Sequence, residues 1–419
     1  MNKNTEIIKQ TLAKRYAKER RFRALGMVSV FLGLMFLLIL LLGILVKATP
    51  AFTQHYLSVD MNYDASSLGV SSNPSITELE GANYRSLIRN TLYAQFPEVT
   101  QRKDKRELAA LISGSAEYQI RDTLLANPGL LNQSTRVQVL LDDDVDTYLK
   151  NNAHSGRVSE QQISWINTLE KSGTVERNFN RNLFTNGDSR EPESAGLLGA
   201  TMGSLYALTI CLLVSFPIGV MAAIYLEEFA PKNRWIDLIE ININNLAAVP
   251  SIVFGLLGLA VFLNFFGMPR SAPLVGGLVL ALLTLPTIII ASRSAIKSVP
   301  PSIREAALGL GASKMQTVFQ HVVPLAMPGI LTGAIIGSAR ALGEAAPLLM
   351  IGMVAFIVDV PQGFTDPSTV LPIQIFLWAD SPERAFIAMT SAATIVLLIF
   401  LICMNGLAIW LRKRFEKQW

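Results

Sequence analysis

The sequence predicts an all-α polytopic membrane protein with six transmembrane helices and a mixed or mainly helical extracytoplasmic insertion. Three observations carry this. Of 419 residues, 51% are hydrophobic and only 16% charged, against about 25% charged in a soluble domain. Uncharged runs of spanning length recur, where about 20 apolar residues suffice to cross a hydrocarbon core. The charges are also unevenly spread: residues 1–26 carry 8 Lys/Arg and 2 Asp/Glu, residues 47–195 carry 15 and 19, and residues 196–419 carry 13 and 11. The net charge of +4 is therefore a record of topology and no sign of nucleic-acid binding.

The elements follow in order. Residues 1–23 form a basic tail. Residues 24–46 form the first helix, an uncharged run longer than the 7–15 residues of a signal-peptide apolar region, which predicts a retained anchor. Residues 47–195 form a soluble-type block. The apolar core, 196–411, holds the runs Ser194–Leu226, Ile241–Pro269, Ser271–Ser292 and Ala385–Leu411, and the stretch Leu325–Val358, broken only by Arg340 and Glu344. Residues 412–419 form a second basic tail. If the N-terminus is cytoplasmic, the inner segments hold 18 basic residues and the short outer loops two, Arg270 and Arg384. The positive-inside rule thus predicts both termini in the cytoplasm and 47–195 outside. Cys211 and Cys403 both fall in spans and read as small apolar packing residues.

Within 47–195, Thr77–Phe96, Lys103–Leu125 and Ser159–Phe184 have helical apolar spacing, and Arg136–Leu141 reads as a short strand. Asp142, Asp143, Asp144 and Asp146 read as a solvated turn, because a calcium loop spaces its ligands differently and needs a turn glycine. His55 and His154 have no nucleophile motif beside them. On the inner side, Glu227, Glu228, Asp237 and Glu240 read as a solvated elbow. Pro217, Pro250 and Pro286 are expected to kink spans.

The inner loop 293–326 is the most specific segment. Pro300 and Pro301 precede a short helix, Gly309 and Gly311 stop it, and Ser313 caps a second amphipathic helix expected to end before Pro324. Glu305-Ala306-Ala307 is followed by Gly311 and later by Val323-Pro324. This pattern resembles the coupling loop of ABC importer permeases, which docks into a groove on an ATPase subunit. Here valine stands for the usual leucine before the proline, and His321 where isoleucine is common. No GxxxxGK[ST] phosphate loop occurs in the chain, so ATP, if used, is hydrolysed by a separate subunit.

In the fifth span, Gly329, Gly333 and Gly337 recur every fourth residue, a spacing that permits close helix packing in lipid. Arg340 and Glu344 stand one turn apart, where side chains can meet. Charges at bilayer depth are expensive and usually face a partner or an aqueous path. An Arg fork matches an oxyanion with two parallel hydrogen bonds, but a structural ion pair satisfies the same spacing. The string Ala339–Leu349, ARALGEAAPLL, resembles the phosphate-specific ABC transporter permease family of the PstA type, over about residues 196–419. Block 47–195 lies outside the compact family pattern and matches an extra region of longer relatives.

The resemblance implies a non-catalytic transport subunit in a bacterial inner membrane, with phosphate passing Arg340 and Glu344. It implies a homologous permease (PstC type), an ATPase dimer (PstB type) carrying ATP and Mg, and an extracytoplasmic phosphate-binding protein (PstS type), with no cofactor on this chain. Import of sulfate or molybdate, or a membrane sensor with an outer ligand domain, are the alternatives. For 47–195 the expected role is docking of the binding protein or of the partner permease.

Overall fold

The computed structural model describes residues 3–71, 74–151 and 157–415; His154 and the 416–419 part of the basic C-terminal tail lie outside the described residues. The first helix, α1 (Lys3–Ala48), runs unbroken for 46 residues until a turn at Thr49–Phe52 containing Pro50 ends it. Proline tolerates the first turn of a helix and not its interior. Along the apolar part of α1 the side chains are exposed; only toward its outer end does it pack, with Ala48 and Ala51 buried beside Leu183, Trp378 and Phe386.

The block 47–195 is a mixed α/β domain. Its sheet is three-stranded and antiparallel in the order β2–β1–β3: β1 (Thr53–Asn62), β2 (Ser134–Leu140) and β3 (Val175–Phe179). Tyr56 of β1 faces Leu140 on one side and Glu176 on the other. Helices α2 (Tyr84–Gln95), α3 (Arg102–Ala109), α4 (Ala116–Ala126), α5 (Asp143–Asn151) and α6 (Glu160–Lys171) close over Leu57, Val59, Met61, Leu92, Leu108, Ile120, Leu124 and Ile166, a single apolar core.

Three expectations for this block need correction. Ser159–Phe184 is not one helix: α6 stops at Lys171, Gly173 takes φ +69°, and the chain returns as β3. That left-handed φ costs a glycine nothing and turns the chain back onto β1. Thr77–Phe96 is divided at Gly81, where a first short helix ends. Lys103–Leu125 is divided between α3 and α4, where Gly114 lies so close to Glu191 that a Cβ would sit 2.5 Å from its carboxylate oxygen.

The bundle comprises α7 (Leu198–Ile224), α8 (Arg234–Ala247), α9 (Ser251–Gly258), α10 (Pro273–Lys297), α11 (Pro301–Gly309), α12 (Val323–Gly343), α13 (Ala346–Met350), α14 (Leu371–Ala379) and α15 (Ala385–Phe415). Among the described residues, five helices are long and apolar enough to cross a membrane, or six if one bent pair counts as a single span. That pair is α8 with α9 and its wider-wound continuation to Phe265, meeting at 102°. Ile241–Pro269 is therefore not a straight span. Pro250 sets the break, since a proline restricts the residue before it and cannot continue the preceding helix.

The fifth span also differs. The stretch Leu325–Val358 was expected as one helix, but α12 ends at Gly343, Glu344 is extended, and α13 is a separate short helix starting at Ala346-Pro347. At its other end the helix does not stop before Pro324. Residues Thr317–Val322 wind in wider, π-type turns, and the helix continues through the proline into α12. The extra residue per turn makes room for a ring that would otherwise strike the carbonyl four residues back. Cys211 is buried and Cys403 exposed, both as free thiols.

Candidate functional site

The site is built on two helices that touch through their backbones. A Cβ placed on Gly329 would lie 2.6 Å from Ala295 Cβ, and one on Gly333 2.4 Å from Ala291 Cβ. At Gly337 the nearest atom, from Ile288, is 3.4 Å away. The glycine face of α12 is thus laid along α10. This fixes the rest of α12. Ile330, Gly333, Gly337, Ser338 and Ala341 are buried, whereas Ile336, Arg340 and Gly343 form an exposed line on another face.

Arg340 stands on that exposed line, about 26 Å along α12 from Val323 at 1.5 Å per residue. Its Nε lies 3.7 Å from Glu344 Oε1, and the two side chains are 40% and 24% exposed. The contact is loose. The pair is not locked in the bundle core but stands at a helix break with one side open. Arg340 occupies the last turn of α12, where a cation is favoured by the helix dipole. Discontinuous helices at membrane depth, with charged groups at their ends, are a recurring way of building ion sites in transporters. The short α13 beyond the break is seated against α9, with Pro347 so near Gly255 that a Cβ there would lie 2.7 Å from it.

Loop 293–326 has the expected helix–turn–helix form, although Gly309 is the last residue of α11 and only Gly311 takes a left-handed φ. Helix α11 is followed by Gly311 at φ +86°, and Ser313 with Gln316 forms a reciprocal capping box at the next helix start. Glu305, Ala306 and Gly311 are exposed and Ala307 is buried. Leu310 is 90% exposed, with Leu308 and Met315 also open to solvent. The loop therefore presents a mixed acidic and apolar surface. Large exposed apolar side chains on a rigid turn mark an interaction surface.

Behind this surface, where the sequence predicts a solvated elbow, lies a network of ion pairs. Glu228, in the π-turn after α7, has a side chain only 9% exposed and receives Arg304 of α11. Arg304 also donates to the carbonyls of Val299 at 2.7 Å and Ile296 at 3.0 Å. One turn away, Arg293 of α10 donates to Glu240 of α8 at 2.7 Å and to Glu227 at 3.4 Å. Arg304 and Arg293 thus join α7, α8, α10 and α11. The one available signal was that Arg304 immediately precedes Glu305 in the loop motif.

A second group of charges lies where the outer domain meets the bundle. Asp142, Asp143 and Asp144 are half-buried, with carboxylate oxygens within 4.8 Å of one another, not a solvated turn. Burial, reinforced by neighbouring carboxylates, pushes Asp142 up to about 6 and Asp143 to about 7. Burial pushes Glu193 to about 8. Asp146 is bound between His55 and Lys150. Arg157 ties Asp144 to Glu383 in the loop before α15, and Trp378 donates to Asp188 at 2.9 Å. The outer domain is therefore clamped onto the bundle.

Comparison with known proteins adds three findings. A family model described as the inner membrane component of binding-protein-dependent transport systems matches residues 215–417, and a domain of unknown function matches 9–157. The probable ABC transporter permease protein YqgI of Bacillus subtilis is 34% identical over 254 residues, covering 56% of this chain and 84% of the relative. The phosphate transport system permease protein PstA of Haemophilus influenzae is 30% identical over 223 residues, covering 53% of this chain and 78% of the relative. With these relatives matched over most of their length across the bundle just described, the chain belongs to the permease family of binding-protein-dependent ABC importers, as a multi-pass subunit of the PstA type.

Proposed function

We propose that the chain is the transmembrane permease of an ATP-driven inorganic phosphate importer. It forms the path with a second, homologous permease. The observation that carries the reading is Arg340: a guanidinium on the open face of α12, at a helix break, held only loosely by Glu344. An Arg in that setting can exchange its carboxylate contact for two oxygens of a passing oxyanion. Glu344 then takes the charge back between passages. The phosphate transport named for the Haemophilus relative supports phosphate as cargo.

In this reading the chain does no covalent chemistry. ATP and Mg reside on a partner ATPase dimer of the PstB type, and Glu305, Ala306, Ala307 and Gly311 form the turn that docks into it. The companion permease is of the PstC type, and phosphate arrives on an extracytoplasmic binding protein of the PstS type. Both termini face the cytoplasm across a bacterial inner membrane, as the 18 basic residues of the inner segments support. ATP binding and hydrolysis shift the bundle between two states by contacting each differently.

Cargo selectivity tests this reading. In vesicles containing the assembled complex, uptake of radiolabelled phosphate is measured against excess sulfate or molybdate. The expected result is ATP-dependent phosphate uptake that neither competitor suppresses. Suppression of phosphate uptake by excess sulfate or molybdate contradicts phosphate as the cargo.

A further inference from the structure

The outer domain carries a basic groove that transport through the bundle does not use. The block 47–195 has more acids than bases, yet six Lys/Arg fall between Arg85 and Arg106. Two of them are engaged elsewhere: Arg85 is held bidentately by Glu117 at 3.1 and 3.0 Å, and Lys103 lies 3.7 Å from Glu107. The other four, Arg89 of α2 and Arg102, Lys105 and Arg106 of α3, line a single groove of about 750 Å³. Among the described residues no acidic side chain lines it. Tyr93 forms part of its wall, donating its hydroxyl to the Lys105 carbonyl at 3.1 Å with the Lys105 ammonium 5.4 Å over its ring.

Four cations lining one groove repel one another. They are held together because α2 and α3 are fixed from behind by Leu92 and Leu108, which are buried in the domain core. Three of the four are arginines, whose planar forks match two oxygens of an oxyanion at once. The cations come from two helices and face one concavity, a geometry suited to a small multivalent anion more than to a flat acidic surface.

We propose that this groove binds a tetrahedral oxyanion of the phosphate class, as a capture site on the outer domain separate from Arg340. The inference deepens the phosphate-import reading and rests on it for biological purpose, but its test does not depend on transport. The ligand can be free phosphate or the head of a phosphate monoester.

The experiment is equilibrium binding of radiolabelled inorganic phosphate to the full chain in zwitterionic nanodiscs. It compares wild type, Arg89→Gln/Arg102→Gln, the charge-conserving Arg89→Lys/Arg102→Lys, and Arg340→Gln. The glutamine pair is expected to weaken the outer-site affinity by about tenfold or more, the lysine pair by less, and Arg340→Gln not at all. Both groove pairs alter exposed side chains, and an unchanged melting temperature shows that the fold is kept. Displacement of the label by phosphate or by glycerol 3-phosphate supports the proposal, and the better competitor identifies the source. Equal phosphate binding by wild type and the glutamine pair overturns it. So does binding that only Arg340→Gln abolishes, or a groove that takes up an acidic polypeptide and neither phosphate nor the monoester. Loss of uptake in Arg340→Gln with groove binding intact leaves the capture site standing, so the two readings fail separately.

Discussion

Arg304 donates from Nε and Nη2 to the same oxygen of Glu228, at 3.0 and 2.7 Å, and so ties the loop helix α11 to the end of span α7. The two residues are 76 positions apart in sequence. A partner pressing on the exposed Glu305 and Leu310 surface therefore pushes a helix already bonded to the bundle. Breaking a largely buried pair from one side leaves the other charge uncompensated.

Removing Glu228 should thus cost stability and coupling together. Glu228→Ala is expected to lower stability by about 1–3 kcal/mol and to reduce ATP-driven uptake while the ATPase subunit still co-purifies. The check is a double-mutant cycle with Arg304→Ala, read by thermal unfolding. A strongly non-additive cycle is expected, and additive losses would show that the two residues do not act as a pair.

The α10–α12 seam predicts a position-dependent glycine scan. Gly333→Val must displace Ala291, whose Cβ is already within 2.4 Å of the new atom. It is expected to cost about 1–3 kcal/mol through overpacking. Gly309→Ala meets nothing within 4 Å and should leave the melting temperature and expression unchanged. Equal behaviour of the two variants in a melting assay would refute the seam.

The loop turn predicts a smaller effect. Gly311 has φ +86°, a region costing a side-chain-bearing residue roughly 1 kcal/mol. Gly311→Ala should lower uptake by disturbing the turn between α11 and Ser313, and Gly311→Asn should retain more activity than alanine because Asn tolerates that conformation better. Uptake assays on the two variants rank them directly.

The junction acids predict a pH dependence with a definite sign. Asp142, Asp143 and Glu193 are raised to about 6, 7 and 8, chiefly by burial. A carboxyl raised in the folded state stabilises the fold fully below its unfolded value near pH 4 and loses that contribution as pH rises through the folded value. The affected window is therefore about pH 4 to 8. Melting temperature should fall by several degrees from about pH 5.5 to about pH 8.5, and Glu193→Gln should flatten the upper part of the curve. A melting temperature that rises across this window would contradict the assignment.

Much of this fold was legible because solvent writes it into the sequence. Runs such as Ser194–Leu226 and Ser271–Ser292 have no alternative to spanning, and Ser313 announces a helix start by its capping chemistry. The break after Gly343 was missed because Ala339–Leu349 is rich in helix formers, although Gly343 and Pro347 are breakers; beyond it α13 packs against Gly255 of α9. Strand β1 was missed although its buried positions, Leu57, Val59 and Met61, alternate with more polar ones. Of the site residues, the glycine stripe follows from helical spacing, whereas the Arg340–Glu344 pair was read from spacing together with the family resemblance, and Glu344 lies beyond the end of α12. The Glu228–Arg304 tie and the basic groove depend on which helices lie side by side, which no local pattern encodes.

A role for Arg340 in the passage of phosphate is open to direct test. The most direct measurement is ATP-driven uptake of radiolabelled phosphate in vesicles carrying the assembled complex with wild type, Arg340→Lys or Arg340→Gln. Arg340→Gln is expected to lose uptake by about tenfold or more, with assembly and stability retained, and Arg340→Lys to fall between because it keeps the charge but not the fork. Phosphate uptake at the wild-type rate in Arg340→Gln would contradict that role.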